Sequence, residues 1–196
     1  MLKEYIIAER DALNVMLEEL DENYEEVITL LEKCKGKIVF MGIGKSGHIA
    51  RKLSATFSSL GITSIFVHSS EAMHGDLGML VKGDIAILIS NSGNTQEVCQ
   101  NIAPLRHNGI ITVALTSGKD SQLAKECDYT LLYPHMQEAD HLKLAPTVSS
   151  TLALVLGDAI ACEIAARHKF TREQFYSFHP NGAIGESLKK ECMRKN

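Results

Sequence analysis

The sequence predicts an α/β protein built as a three-layer sandwich, with a five-stranded parallel sheet between layers of helices. Two observations carry that reading. Five short apolar runs, at residues 37–43, 65–68, 85–90, 110–115 and 129–133, are nearly continuous rather than alternating, as strands buried on both faces must be. Helical patterns lie between them, and such alternation calls for parallel strands joined by right-handed crossovers.

Residues 1–35 read as a helical segment of two helices. Leu13, Leu17 and Leu20 recur at helical spacing, then Val27, Leu30 and Leu31, with a turn at Asp21-Glu22-Asn23 between them. The first strand ends in glycine and feeds a helix over 47–60, whose Ile49, Leu53 and Phe57 share a face. Helices over 97–108 and 121–127 follow the third and fourth strands. After the fifth strand comes a loop, 134–145, and then a long apolar stretch, 146–166. Asp158, Glu163 and several hydroxyl residues interrupt that stretch, so a buried core helix is expected and no membrane span. The tail from Thr171 reads as a short helix, the segment His179-Pro180-Asn181-Gly182 and a final turn. No repeat or linker is visible, so residues 1–196 are expected to form one domain.

Composition narrows the function classes. Hydrophobic residues make up 45% and charged residues 22% of the 196, with a formal net charge of −4, ordinary values for a globular protein. No basic stripe is present, which argues against a nucleic-acid partner. The start, Met-Leu-Lys-Glu-Tyr, resembles neither a secretory signal nor a transit peptide. The cysteines, Cys34, Cys99, Cys127, Cys162 and Cys192, are odd in number and form no CxxC pair. Reduced thiols in a cytoplasmic protein are expected.

Open α/β sheets bind ligands beyond the carboxyl ends of their strands. Two such ends carry small, glycine-bearing loops: Gly42-Ile43-Gly44-Lys45-Ser46-Gly47 after the first strand and Ser90-Asn91-Ser92-Gly93-Asn94-Thr95 after the third. Each opens a helix, where free N–H groups and the dipole favour an anion. Gly42, Gly44 and Gly47 satisfy a dinucleotide fingerprint formally. However, His68-Ser69-Ser70 stand where its acid should end the second strand, and the Walker spacing is not met. In the second loop, every residue but Gly93 offers a hydroxyl or amide, enough to wrap a small phosphate with neutral donors. Ser46, Ser90, Ser92 and Thr95 are therefore expected to converge on one anion, with Asn91 lending its backbone and Gly93 in the same site. This needs the first and third strands to lie close together.

These loops belong to a longer series. Gly42 to Ile49, Glu71-Ala72-Met73-His74-Gly75-Asp76-Leu77-Gly78, Ser90-Asn91-Ser92-Gly93, Leu144-Ala145-Pro146-Thr147 and His179-Pro180-Asn181-Gly182-Ala183-Ile184-Gly185 follow in order along nearly the whole chain. The series resembles the sugar isomerase (SIS) domain of the arabinose 5-phosphate isomerase family. That resemblance implies a flavodoxin-like, Rossmann-like sheet, a homotetramer with sites where subunits meet, no cofactor, and interconversion of D-arabinose 5-phosphate and D-ribulose 5-phosphate. Three departures stand out. Many members continue into CBS domains, whereas this chain stops soon after Gly185. Asn181 stands where a second glycine is common. Asp140-His141-Leu142-Lys143 replace a typical Cys-Pro-Leu-Gly, so the loop from Glu138 to Leu144 is expected to set the choice of sugar.

An aldose–ketose isomerase opens a cyclic sugar and moves a proton between C1 and C2 through an enediol. Glu97 falls one turn into the helix after the phosphate loop, which suits a proton shuttle, and it resembles the family's catalytic glutamate. Lys45 would place a positive charge at the phosphate or the developing oxyanion. By resemblance, His179 is catalytic in ring opening or relay, His74 contacts substrate from a neighbouring subunit, and Glu138 occupies a position of catalytic relevance. His68 resembles a position able to bind inhibitory zinc, but a lone histidine is no metal site and no required metal is expected. Other readings stay open: an isomerase of another pentose or a hexulose phosphate, or a sugar-phosphate-binding protein without catalysis.

Overall fold

The computed structural model describes residues 1–20 and 23–193. Its sheet has five parallel strands, β1 (Ile38–Gly42), β2 (Ser64–His68), β3 (Ile85–Ile89), β4 (Ile111–Thr116) and β5 (Tyr129–Leu132), in the order β2-β1-β3-β4-β5. β1 and β3 are buried along their whole length and β4 beyond its first residue, which explains their unbroken apolar runs. β1 and β3 are direct neighbours, as the loop chemistry requires. The strand order reverses at this pair, and the crevice of such a sheet opens beyond its carboxyl ends.

Successive side chains point to opposite faces. Ile38 and Phe40 join a core with α1 (Leu2–Glu19), α2 (Asn23–Glu32), α3 (Gly44–Ser59) and α8 (Val148–Arg167). Phe40 meets Phe57 of α3 edge to face at 4.9 Å. Val39 and Met41 join a second core with α4 (Ser69–Ala72), α5 (Gln96–Cys99), α6 (Ile102–His107) and α7 (Gln122–Glu126). The tail forms α9 (Arg172–Phe178), opened by a Thr171–Gln174 capping box, and α10 (Gly182–Met193).

The long apolar stretch is a core helix. Among the described residues only α8 is long and apolar enough to cross a membrane, yet Leu152, Leu156, Ile160 and Ile164 are buried against the sheet layer. Asp158 pairs with Lys52 of α3, and Arg167 with Glu25 and Glu32 of α2. Cys34, Cys99, Cys127 and Cys162 are free thiols, and burial pushes the Cys127 thiol up to about 12. The side chain of Cys192 and the turn residues Asp21 and Glu22 lie outside the described residues.

Four expectations are corrected. α1 buries Ala12 and Met16, with Leu13 half-buried against the same core, while Leu17 and Leu20 are 66% and 46% exposed; small Ala12 suits the packed face, and the later leucines of the stripe face outward. α3 starts three residues early, at Gly44, so Lys45 and Ser46 stand in its first turn. The helix over 97–108 is broken at Gln100 and Asn101 into α5 and α6. The final turn is the 12-residue helix α10.

Candidate functional site

The first loop is a close approach of strand to helix. A Cβ on Gly42 would meet the Ser46 backbone at 3.0 Å, and one on Gly47 would meet the Gly42 carbonyl oxygen at 3.1 Å. The glycines thus let β1 run straight into α3. No side chain caps α3, so the first-turn N–H groups, which have no partner within the helix, are left for a ligand.

The second loop is held from behind by β4 and α7. Gly93 adopts φ 67°, and a Cβ there would lie 2.0 Å from the Ser121 hydroxyl, so only glycine fits. Its carbonyl accepts from Leu123 N at 3.0 Å. The Asn91 carbonyl accepts from Ser117 N at 3.1 Å and the Thr116 hydroxyl at 3.0 Å, and Asn94 Oδ1 accepts from Gln122 N at 2.9 Å. Within the loop, the buried Ser90 hydroxyl accepts from Gly93 N at 3.1 Å and lies 2.8 Å from the Thr95 hydroxyl. The Ser92 hydroxyl accepts from Asn94 N at 3.2 Å.

Between the loops lies a narrow cleft at the carboxyl edge of the sheet. Lys45 and Ser46 line it from α3, Asn91 from the loop after β3, Tyr133 from just beyond β5, and Ser149 and Ser150 from the first turn of α8. Asn91 Oδ1 accepts from the Ser117 hydroxyl at 2.9 Å and the Tyr133 hydroxyl at 3.3 Å, so Asn91 enters the cleft with its side chain anchored. Burial, reinforced by the nearby Glu138 carboxylate, pushes the Tyr133 phenol up; it stays a neutral donor.

Glu138 does not present a free carboxylate to this cleft. Its Oε2 accepts from Thr147 N at 2.8 Å, Thr147 Oγ1 at 3.1 Å and Ser149 N at 3.3 Å, and its Oε1 accepts from the Ser149 hydroxyl. Burial alone would raise its pKa, but these donors outweigh it and hold the carboxyl below the usual glutamate range. The expected catalytic group is, in this structure, the cap of α8.

Glu97 is the second residue of α5, two residues past Thr95, exposed on the same edge. His74 is exposed in the turn after α4, its N–H bonded to the Glu71 carbonyl at 2.8 Å. His68 ends β2 with Nδ1 buried and without a protein partner, its ring edge-on to Phe66. His179 is elsewhere. Its ring stacks on Phe175 at 4.1 Å, and its Nε2 lies 3.2 Å from the hydroxyl of Ser59, the last residue of α3. Ser46 is in the first turn of that helix, about 20 Å away at 1.5 Å per residue. Within one chain, the structure does not bring His179 to the cleft.

Against known proteins, the SIS domain family model matches residues 30–162. The chain belongs to the SIS domain family. The arabinose 5-phosphate isomerase KdsD of Pseudomonas aeruginosa is 42% identical over 92% of the chain and 55% of its own length. KdsD of Escherichia coli K12 is 42% identical over 95% of the chain and 57% of its own length. The chain thus spans little more than half the length of these curated relatives. A protein of E. coli CFT073, solved in complex with arabinose 5-phosphate, superposes with a TM-score of 0.89 at 45% identity, over 91% of this chain and 95% of that one.

Two features of this SIS domain escaped sequence reasoning. Tyr133, Ser149 and Ser150 line the cleft from elements remote in sequence; the only signal was the hydroxyl cluster at the start of an apolar helix. The loop after Glu138 also departs from expectation. Asp140 accepts from Leu142 N, Leu144 N and Ala145 N at 2.8–2.9 Å, so its carboxylate folds the loop. Asp140 and His141 line a second cavity with Tyr5 and Ile6 of α1 and are not among the residues around the cleft.

Proposed function

We propose that this chain is an aldose–ketose isomerase that converts D-arabinose 5-phosphate to D-ribulose 5-phosphate through an enediol. The observation that carries the reading is the meeting of two donor-rich loops at the β1–β3 switch point, with a carboxylate two residues beyond the second, in the first turn of α5. Support for the sugar comes from the relatives named as arabinose 5-phosphate isomerases and from the similar structure in complex with that sugar phosphate.

In this reading Ser46, Ser90, Ser92 and Thr95 hold the phosphate with neutral donors, and Asn91 and Gly93 shape the loop. Lys45 offsets negative charge on the phosphate or on the carbonyl oxygen as the enediol forms. Glu97 takes the proton from C2 and returns it to C1. Glu138 fixes Ser149 in the cleft wall. His179 assists ring opening in a neighbouring subunit's site, since its own cleft lies at the far end of α3, and His74 reaches across in the same way. A homotetramer fits the outward apolar face of α1, where Leu2, Ile6 and Leu17 are 75%, 62% and 66% exposed. No cofactor is needed, and the setting is cytoplasmic.

The test is a panel of aldose phosphates incubated with the protein, with the ketose phosphate measured. D-Arabinose 5-phosphate is expected to be turned over with the highest kcat/KM. No ketose from any member would remove the isomerase reading.

A further inference from the structure

We infer that Asn101 is a positioning residue for Glu97; this rests on the isomerase reading. Asn101 is fully buried, at the break between α5 and α6. Its Nδ2 donates to three backbone carbonyls: Glu97 at 2.8 Å, Val98 at 3.3 Å and Ser69 at 3.0 Å. The first two belong to the short helix that carries Glu97. The third is the first residue of α4, directly after β2, and His74 follows five residues later. One side-chain amide therefore ties the turn bearing the proton shuttle to the segment that carries His74, which in this reading reaches a neighbouring cleft.

Local helix geometry does not account for this arrangement. A helix break needs its last carbonyls satisfied, and the Glu97 and Val98 bonds do that. The Ser69 bond spans 32 residues and does something else: it sets the spacing between two carboxyl-edge segments on opposite sides of β1. It comes at a cost, since Asn101 Oδ1 and the Ser69 hydroxyl are both buried without a protein partner. The phosphate loop has separate anchors on β4 and α7, at Ser117, Ser121, Gln122 and Leu123. α5 also meets the loop at Thr95, whose carbonyl accepts from Val98 N and Cys99 N at 3.0 Å. The β4 and α7 anchors hold the loop independently of α5, so loss of Asn101 is expected to shift Glu97 more than the phosphate.

That separation gives the test. Asn101→Leu and Asn101→Ser are compared with wild type and Glu97→Gln, with D-arabinose 5-phosphate as substrate and inorganic phosphate as competitor. Serine can still reach the carbonyl four residues back but cannot span to Ser69. Both variants are expected to keep KM and phosphate inhibition within about threefold and to lose kcat by roughly 10- to 100-fold, the scale of a displaced reacting group. A serine variant that matches wild type, a loss of phosphate inhibition in step with kcat, or unfolding of both variants would overturn the positioning role in favour of a packing one. A normal rate in Glu97→Gln would instead remove Glu97 as the shuttle and this inference with it, whereas an inactive wild type would remove the isomerase reading itself.

Discussion

His179 Nε2 sits 3.2 Å from the hydroxyl of Ser59, at the opposite end of α3 from Lys45 and Ser46. A rigid 16-residue helix thus separates the histidine from the cleft of its own chain. Pairing with Ser59 and stacking on Phe175 fix the ring at the amino edge of the sheet. Under the proposed shared-site reading, any part His179 plays in the reaction is played in another copy's cleft.

Mixing tests this directly. If His179 and His74 reach one cleft from different chains, His179→Ala and His74→Ala subunits, each inactive alone, should regain partial activity when unfolded and refolded together, because some clefts then receive both wild-type histidines. Activity that stays at background at every mixing ratio, with mixed oligomers confirmed by mass, would mean that the two residues do not reach one cleft from different chains.

Glu97→Gln should keep the fold and the affinity for inorganic phosphate while losing about 100- to 10,000-fold in kcat, the usual cost of removing a general acid–base group. The side chain is exposed and has no structural duty to lose. Wild-type protein should wash deuterium from C2 of the substrate into water, and the variant should not. Comparable wash-out in both would exclude Glu97 as the shuttle.

For Glu138→Gln the cap geometry predicts a milder outcome. The carboxyl is held below its usual range, so it is ionised throughout neutral and mildly acidic solution. Its stabilisation is present above the unfolded-state value of about 4.3 and fades as pH falls below it. The variant should lose about 1 kcal/mol of stability at neutral pH, typical of a helix cap, seen as a lower Tm. Its kcat–pH profile should keep the wild-type shape; a missing acid or base limb would reinstate Glu138 as a titrating catalyst.

Asp84, 1% exposed, accepts from Lys37 N at 2.9 Å, Lys37 Nζ at 2.6 Å and Val81 N at 2.8 Å. Burial raises its pKa, but the Lys37 and Val81 bonds more than offset this and leave it lowered. Asp84→Asn should therefore cost about 2 kcal/mol at neutral pH, measured by denaturant unfolding. The gap should narrow as pH drops below about 3.9, the unfolded-state aspartate value, because the wild type loses its advantage when the carboxyl protonates. A gap that stays constant down to about pH 2, well below that value, would show that charge plays no part.

The sheet was legible because burial on both faces leaves unbroken apolar runs, and the neighbouring of β1 and β3 followed from the chemistry of their loops. The place of Glu97 at the start of a helix after the second loop was legible because helix position is local. The rest turned on long-range placement. Nothing around His179-Pro180 says which edge of the sheet it occupies; the partner that reveals it, Ser59, is 120 residues away. Helical spacing located α1 but could not choose between the Ala12–Met16 face and the leucine face. Glu138 and Asp140 carry charge in a loop, a pattern shared by sugar contacts and by backbone caps. The N–H groups that converge on them show the backbone-holding duty, which the residue types alone do not.

The burial of β1, β3 and β4 has a consequence for how the molecule breathes. Amides in these strands open only with the whole fold, so they should be the last to exchange with deuterated solvent. The Ser90–Thr95 loop and α5 lie on the rim of that slow block and are free to open without it. Ligand should therefore slow exchange at the rim and leave the strands unchanged, which would map the occupied cleft in solution without a crystal.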